Sequence, residues 1–408
     1  MSKPLSTWVA VAVVAAGVAV ALVGMPFGAS AQSGRATVPA AVLSRTVSTD
    51  NLAREGFFHI GGRYVGEPGH EVMTEGMYVE VKVPKNIRHP YPLVFVPGGQ
   101  HQVLDYIQTP DGRPGWAYNF VEQGYIVYIL DPLVQGRSTY APEADGPNPG
   151  GNSFGGAERV SRTFHPELGD WPQAKKYTQW PSDHPNKGRM GDPVFDAYYA
   201  THFHNPPTPR GVNREKANLD VRVQLLERIG PSILVGHSTG GTVNWALADA
   251  RPHLVKGIIA TEPTGPPIHS VDYAKLAYDT DPGQRWGLGT LPLRYDPPVT
   301  DPAQLQPVLQ APALAPGPDQ VPCYLQKEPA RKLVNLQNIP VLFVSAEASY
   351  HRIAGHCIAK WLNQAGGKSE YVHLEDAGMR GNGHLMMLDR NSQDIAKFIA
   401  AWIPKNVR

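Results

Sequence analysis

This sequence contains little cysteine and has almost no net charge. Only two of its 408 residues are cysteine, and 37 basic residues nearly balance 36 acidic ones, which leaves a formal net charge of +1. Two cysteines allow at most one internal disulfide. A chain without excess positive charge has no general attraction for polyanions, so we expect no nucleic-acid partner.

Recognisable metal-binding patterns are scarce as well. Among the 15 histidines, two flank a phenylalanine in His202-Phe203-His204, but no third ligand follows at a spacing typical of a metal site. We therefore expect no metal, and we also expect no cofactor.

A long apolar run stands near the start of the chain. The 16 residues Trp8–Val23 follow Lys3 and precede the small residues Ala29-Ser30-Ala31. This pattern predicts a signal peptide, residues 1–31, and a secreted or periplasmic protein without stable membrane association after cleavage. A retained anchor is the alternative, although the run is short for a spanning helix. Cleavage would remove Lys3 and take the formal charge from +1 to zero.

Strand-like and helix-like segments alternate through residues 32–408. This order predicts one domain of the α/β class, with a mostly parallel, doubly wound sheet covered on both faces and an antiparallel pair at one edge. The strand candidates are FFHIGGRYV, MYVEVKVP, PLVFV, YIVYILD, PSILVG, VKGIIATE, IPVLFVSAE and EYVHLE.

Two long insertions interrupt this alternation. They cover about residues 138–215 and 264–336 and are rich in proline and glycine, yet they also contain aromatic residues. Loops of this length in a compact protein are usually functional or disordered. The aromatic content favours an ordered lid made of both insertions.

The pattern G-x-S-x-G occurs twice, at Gly236–Gly240 and at Gly151–Gly155. A catalytic serine in this pattern needs a buried strand before it and a helix after it. GHSTG has both, because PSILVG precedes it and TGGTVNWALADA follows. GNSFG follows a segment rich in proline and glycine, which predicts a flexible loop. Ser238 is therefore the predicted nucleophile.

A serine nucleophile requires a base, an acid and two oxyanion donors. His384 is the predicted base, because it follows the last strand candidate and lies 24 residues before the end of the chain, after the nucleophile, as in α/β hydrolases. His237 is expected to pack against the site or to line it. The backbone N–H of Thr239 is the first predicted oxyanion donor. The second is Gly99, or else Gln100, in the turn after PLVFV.

Two glutamates compete for the role of the acid. Glu347 ends the strand candidate IPVLFVSAE, and Glu262 ends the preceding one, VKGIIATE. Both positions lie at the carboxyl end of a strand, where open α/β sheets place their sites. The pattern of strands alone leaves the choice open.

The two cysteines, Cys323 and Cys357, are predicted to form a disulfide, because an exported protein with an even number of cysteines favours pairing. The alternative is that Cys357 is a buried thiol on an apolar helix face with Ile353, Ile358 and Trp361.

The sequence resembles the α/β hydrolases, and within them the exported bacterial esterases of the esterase 713 type. The resemblance runs in order through FVPGG, TPDGRPGWAYNFVEQGYIVYILDPLVQGRS, LVGHSTGG, ATEPTG and KSEYVHLEDAGMRGNGHLMMLDRN. Pro97 departs from it, because many relatives carry histidine before the oxyanion glycine. The resemblance favours Glu262 as the acid, since that residue stands in the matching Glu-Pro setting.

The resemblance also implies an activity, that of a serine hydrolase which cleaves a carboxylic ester through an acyl-enzyme on Ser238. The expected partner is a small-molecule ester, bulky or aromatic, held under the lid, and a homodimer is possible. A lactonase, an amidase or a carbon–carbon bond hydrolase would use the same residues. A catalytically inactive binding protein on this fold is the alternative from a different class.

Overall fold

The computed structural model describes residues 38–146, 156–202, 208 and 213–408. The predicted signal peptide, the GNSFG motif and His204 lie outside the described residues. The chain divides into a short N-terminal unit, residues 1–43, and a main unit, residues 44–408. The described part of the first unit contains one short helix, and the rest of the structure belongs to the second.

Helices and strands alternate along most of the chain. The α-helices are α1 (Ala40–Leu43), α2 (Leu104–Ile107), α3 (Trp116–Glu122), α4 (Pro142–Asp145), α5 (Ala157–Ser161), α6 (Pro193–Tyr199), α7 (Arg214–Ile229), α8 (Thr239–Ala250), α9 (His356–Gln364) and α10 (Ser392–Asn406). The strands are β1 (Leu52–Val65), β2 (Val72–Pro84), β3 (Leu93–Val96), β4 (Val127–Leu130), β5 (Ser232–His237), β6 (Val255–Thr261), β7 (His269–Asp272), β8 (Ala277–Pro282), β9 (Tyr295–Asp296), β10 (Pro307–Leu309), β11 (Tyr324–Gln326), β12 (Lys332–Leu333), β13 (Pro340–Ser345) and β14 (Lys368–His373). Within the described ranges, every helix is too short or too polar to cross a membrane.

Eight strands form the central sheet, in the order β1-β2-β4-β3-β5-β6-β13-β14. Strand β2 is antiparallel to both of its neighbours, and the other adjacent pairs are parallel. The predicted mostly parallel sheet with an antiparallel opening pair is confirmed. Parallel strands end at a common edge, so residues that follow β3, β5, β6 and β13 meet there.

Both faces of the sheet are covered by helices. Neighbouring residues of a strand point to opposite faces, and accordingly Phe95 and Ile233 pack in one core with α3 and α10. Val94 and Leu234 pack in the other core with α7, α8 and α9. All four side chains are buried, and burial of each stabilises the fold by roughly 1.5–3 kcal/mol.

The two insertions fold against this framework. The first carries α4 to α6, and it buries Phe164, Trp180, Phe195 and Tyr198 in the same core as α3 and α10. The second forms three antiparallel two-stranded ribbons, which pair β7 with β8, β9 with β12 and β10 with β11. The aromatic residues of the first insertion therefore form buried contacts in the described residues.

A disulfide joins the second insertion to the framework. Cys323 and Cys357 are bonded, with their Cα atoms 5.2 Å apart and a separation of 34 positions in sequence. Cys357 lies in the first turn of α9, and Cys323 directly precedes β11. The bond therefore fixes one end of the insertion to the helix that follows β13.

Candidate active site

Ser238 lies at the sharp turn between β5 and α8. Its backbone dihedrals, φ 50° and ψ −129°, are outside the regions that non-glycine residues favour, and such strain is concentrated at functional sites. A Cβ atom at Gly240 would lie 2.0 Å from the carbonyl oxygen of Pro97, and one at Gly236 would lie 2.5 Å from Asn244 Nδ2. Glycine at these two positions therefore permits the close approach of β3, β5 and α8 that the turn requires.

The histidine and one of the two competing glutamates lie together. Nδ1–H of His384 donates to Oε2 of Glu262 over 2.7 Å. Glu262 also accepts hydrogen bonds from the backbone N–H of Ala346, at 2.8 Å, and from the hydroxyl of Ser349, at 2.6 Å. Three donors on one buried carboxylate fix its orientation, and the carboxylate in turn fixes the tautomer of His384.

Glu347 lies elsewhere, although it follows the neighbouring strand. Its Oε2 accepts a hydrogen bond from the N–H of Gly381 at 3.0 Å, and its Oε1 lies 3.2 Å from Arg380 Nη1. The structure brings His384 together with Glu262 and not with Glu347. Glu347 instead binds the loop that leads to His384.

Burial determines the charge state of the histidine. It lowers the pKa of His384, because a charged imidazolium would lose its hydration, and the charge of nearby His101 acts in the same direction. Burial also raises the pKa of Glu262, but its three hydrogen-bond donors favour the carboxylate. A neutral His384 with Nδ1–H held by Glu262 leaves Nε2 as a proton acceptor.

Two further imidazoles pack against His384. His351 stacks face to face on it, with ring centroids 4.5 Å apart and an interplanar angle of 8°. His237 donates from Nε2 to the carbonyl oxygen of His384 over 2.9 Å, and its ring lies 4.4 Å from the His384 ring. His237 directly precedes Ser238, so this hydrogen bond links the serine turn to the histidine loop.

The turn after β3 lies against the serine. A Cβ atom at Gly98 would be 3.0 Å from the Cβ of Ser238. Gly99 and Gln100 follow, and the N–H of His101 closes the turn on the carbonyl oxygen of Gly98 at 3.3 Å. Thr239 is the first residue of α8, so its N–H is one of the unpaired donors at a helix start.

The side chain of Ser238 is half-buried, and no hydrogen bond within the described residues ends on its hydroxyl. Catalytic hydrogen bonds are often long in enzymes without substrate and tighten only in the complex.

Several polar residues around this site were not predicted from the sequence. Ser349 supports Glu262. Asp389 is buried and accepts from the N–H of Gly383 at 3.1 Å, from Asn382 Nδ2 at 2.9 Å and from the hydroxyl of Tyr177 at 2.7 Å. Asp389 thus joins the loop before His384 to the first insertion. In the sequence, the only indication of this role for Asp389 is its place five positions after His384, and that indication is weak.

The described residues contain one group of potential metal ligands, formed by Cys323, His356 and Cys357, whose donor atoms all lie within 4.8 Å of one another. Both sulfurs are joined in the disulfide, and metal binding by cysteine requires the thiolate. These residues therefore do not fit a metal ion while the bond is intact.

A mostly parallel sheet with a strained serine at the strand-to-helix turn after β5 is the architecture of the α/β hydrolases. No protein-family model matches the chain. The chain is 39% identical over 350 residues to the "Probable secreted lipase phiG" of Fungal sp. (strain ATCC 74256), an alignment that covers 86% of this chain and 89% of that protein. The chain belongs to the family of this secreted lipase, within the α/β hydrolases.

One solved structure gives the same fold, and a second shows a weaker similarity. A structure described as a novel bacterial esterase superposes with a TM-score of 0.57 at 20% identity, and the match covers 89% of this chain and 99% of that one. A bacterial heroin esterase matches with a TM-score of 0.42 at 16% identity, over 90% of this chain and 88% of the other. The first of these confirms the predicted α/β-hydrolase fold.

Proposed function

We propose that the protein is a secreted serine esterase that hydrolyses carboxylic esters through an acyl-enzyme on Ser238. The observation that carries this proposal is the 2.7 Å hydrogen bond between His384 and Glu262. The loop that carries His384 is also hydrogen-bonded to His237, the residue before Ser238. The relationship to a probable secreted lipase supports both the ester bond as the target and an extracellular location.

The residues have the following roles in the proposed mechanism. His384 takes the hydroxyl proton of Ser238 through Nε2 as the oxygen attacks the ester carbonyl carbon, and Glu262 stabilises the imidazolium that forms. The N–H groups of Thr239 and Gly99 donate to the oxyanion. His384 then gives the proton to the leaving alcohol. Water, activated by the same histidine, hydrolyses the acyl-enzyme and regenerates the serine.

The two insertions are the proposed lid over this site. The first insertion contacts the loop before His384 through Tyr177 and Asp389. The second begins two residues after Glu262. Its residue Tyr273 packs on Tyr350, whose ring lies 4.9 Å from that of His384. An aromatic wall of this kind favours bulky or aromatic esters, because a ring buries a large apolar area at low entropic cost.

The experiment that tests this proposal compares the two G-x-S-x-G serines. Ser238→Ala should abolish both hydrolysis of p-nitrophenyl esters and labelling by a fluorophosphonate probe. Ser153→Ala, in GNSFG, is the matched control and should retain both. Full turnover by the first variant overturns the proposal, and absence of labelling in the parent protein indicates a binding protein on this fold. A panel of esters, lactones and amides separates the activities that share this chemistry.

A further inference from the structure

A second buried pair of histidine and carboxylate lies beside the proposed site. His101 Nδ1 and Asp105 Oδ2 are 2.5 Å apart, and the two residues are only 9% and 5% exposed. The ring of His101 lies 6.2 Å from that of His237, the residue before Ser238. Burial of such groups costs free energy unless they are paired, and the proposed triad does not use this pair.

The other nitrogen of His101 faces the first insertion. Nδ1 of His101 is taken by Asp105, and its Nε2 lies 3.4 Å from the hydroxyl of Tyr198. Tyr198 belongs to α6 and is packed among buried aromatic rings, with that of Phe164 at 4.8 Å. The next residue of the turn, Gln102, donates to the carbonyl oxygen of Thr201 just beyond α6 at 2.6 Å. His101 and Gln102, at the end of the proposed oxyanion turn, therefore both contact residues at the C-terminal end of α6.

The turn itself needs such support. Gln100 has a φ of 64°, in the left-handed region, which costs a residue with a Cβ roughly 1–2 kcal/mol. The bond from the His101 N–H to the carbonyl oxygen of Gly98 closes the turn at 3.3 Å, which is longer than the usual length of about 2.9–3.0 Å. A turn that is strained and weakly closed holds its conformation only when its surroundings fix it.

We propose that His101 is a positioning residue which, clamped between Asp105 and Tyr198, holds the Gly98–His101 turn so that the N–H of Gly99 faces the oxyanion. The first insertion thereby acts on the chemistry as well as covering it. This inference rests on the proposed function, since an oxyanion must form for the turn to matter.

The test is the variant His101→Ala, examined with an ester substrate and with a trifluoromethyl ketone, which forms a stable oxyanion adduct with a reactive serine. Loss of one oxyanion donor typically lowers kcat 10²–10³-fold, and displacement of the turn should lower it about 10- to 100-fold. KM should stay within about threefold, because the ground-state ester does not use the donor fully. Affinity for the ketone should fall by about the same factor as kcat.

Conservative and matched variants separate positioning from folding. His101→Asn retains a donor toward Asp105 and should recover part of the lost kcat. Tyr198→Phe should lower kcat by a smaller factor than His101→Ala. Its matched control is Tyr125→Phe, because the Tyr125 hydroxyl is buried without a hydrogen-bond partner among the described residues and is not part of the clamp. Thermal unfolding of each variant identifies any loss of folded protein, and if His101→Ala does not fold, the comparison of the two tyrosine variants decides.

The inference is wrong if the kcat and the ketone affinity of His101→Ala match those of Tyr125→Phe. If His101→Ala does not fold, the same comparison is made with Tyr198→Phe, and a match again means that the inference is wrong. It is also wrong if the loss appears only in KM. These outcomes leave the proposed function standing, because Ser238→Ala tests that function separately. Full activity of Ser238→Ala would instead remove the proposed function and this inference together.

Discussion

Glu262 and Glu347 lie near the loop that carries His384, and their contacts assign them different tasks. Glu262 receives Nδ1–H of the histidine, whereas Glu347 receives the N–H of Gly381. In the proposed mechanism, the first contact stabilises the charge that develops on His384, whereas the second contact holds only the loop. Substitution of each carboxylate by the amide should therefore have unequal effects.

We expect Glu262→Gln to lower kcat by about 10³–10⁴-fold while substrate binding survives, as when the acid of a serine triad becomes an amide. Glu347→Gln retains an oxygen that can accept from Gly381 and should lower kcat by less than about tenfold. Steady-state kinetics on one ester measure both. Near-normal kcat in the first variant with collapse in the second would mean that the acid follows β13 and not β6.

In the proposed mechanism, the pH dependence of kcat/KM reports on His384 in the free enzyme. Burial lowers the pKa of this histidine, and only the neutral form can accept the serine proton. Activity should therefore be lost as pH falls through the lowered pKa, and the acid limb should lie below the ordinary histidine value of about 6.5. A profile of kcat/KM from acid to neutral pH measures it. Half-maximal activity at or above that ordinary value would contradict the expected shift.

At this scale the sequence predicts the placement of some residues much better than that of others. The position of Ser238 between a strand and a helix is predictable, because its glycines, strand and helix are all local to it, and the order of the chain places His384 after the last strand. The contact between His384 and Glu262 is not predictable from the strands, because β6 and β13 are adjacent in the sheet and the pattern does not tell which glutamate turns toward the histidine. His101 and Asp105 are four positions apart in a short segment, a spacing too common to identify a pair.

At the scale of elements, one cysteine of the disulfide lies in α9, the helix that follows the rings packed against His384. The 3-10 helix Tyr350–Ile353 ends two residues before α9 begins and places His351 and Tyr350 against His384. Cys357 lies in the first turn of α9. The bond from Cys323 thus holds the second insertion to the helix that adjoins these rings.

Removal of this bond should destabilise the protein. In the chain-entropy account, a loop of this length gives roughly 3–4 kcal/mol, so Cys323→Ser with Cys357→Ser should lower the free energy of unfolding by about that amount. Denaturant unfolding measures the change. Reductant should destabilise the parent protein but leave the double variant unaffected. Two free thiols in the unfolded, unreduced parent would show that the bond does not form.

The elements of the sheet were predictable, whereas those of the insertions were not. The core strands β3, β5, β6 and β13 each contain a short apolar run, which is how strands buried on both faces appear in a sequence. The ribbon strands β9 and β12 have two residues each, too few for any period to be visible. The proline-rich sequence around them predicts turns and not their pairing.

For the whole molecule, the prediction concerns cleavage of the N-terminal segment. We expect the mature protein to begin at Gln32, after cleavage at Ala31, since small residues at 29 and 31 fit the cleavage pattern. N-terminal sequencing of protein from the medium or periplasm measures this. Ala31→Leu should impair cleavage, and Ser33→Ala, beyond the cleavage site, should not. Recovery of the uncleaved chain in the membrane fraction would indicate an anchor.

The contacts of the first insertion also bear on how this enzyme can be re-engineered. The hydroxyl of Tyr177 donates to Asp389, which binds the loop before His384, and the hydroxyl of Tyr198 lies 3.4 Å from His101 Nε2 beside the proposed oxyanion turn. Exchange of this segment for that of another hydrolase, made to import a new substrate preference, would also remove contacts that hold two loops of the proposed site. Selectivity is therefore better altered one outer side chain at a time, with both tyrosines kept, than by transplanting the segment as a cassette.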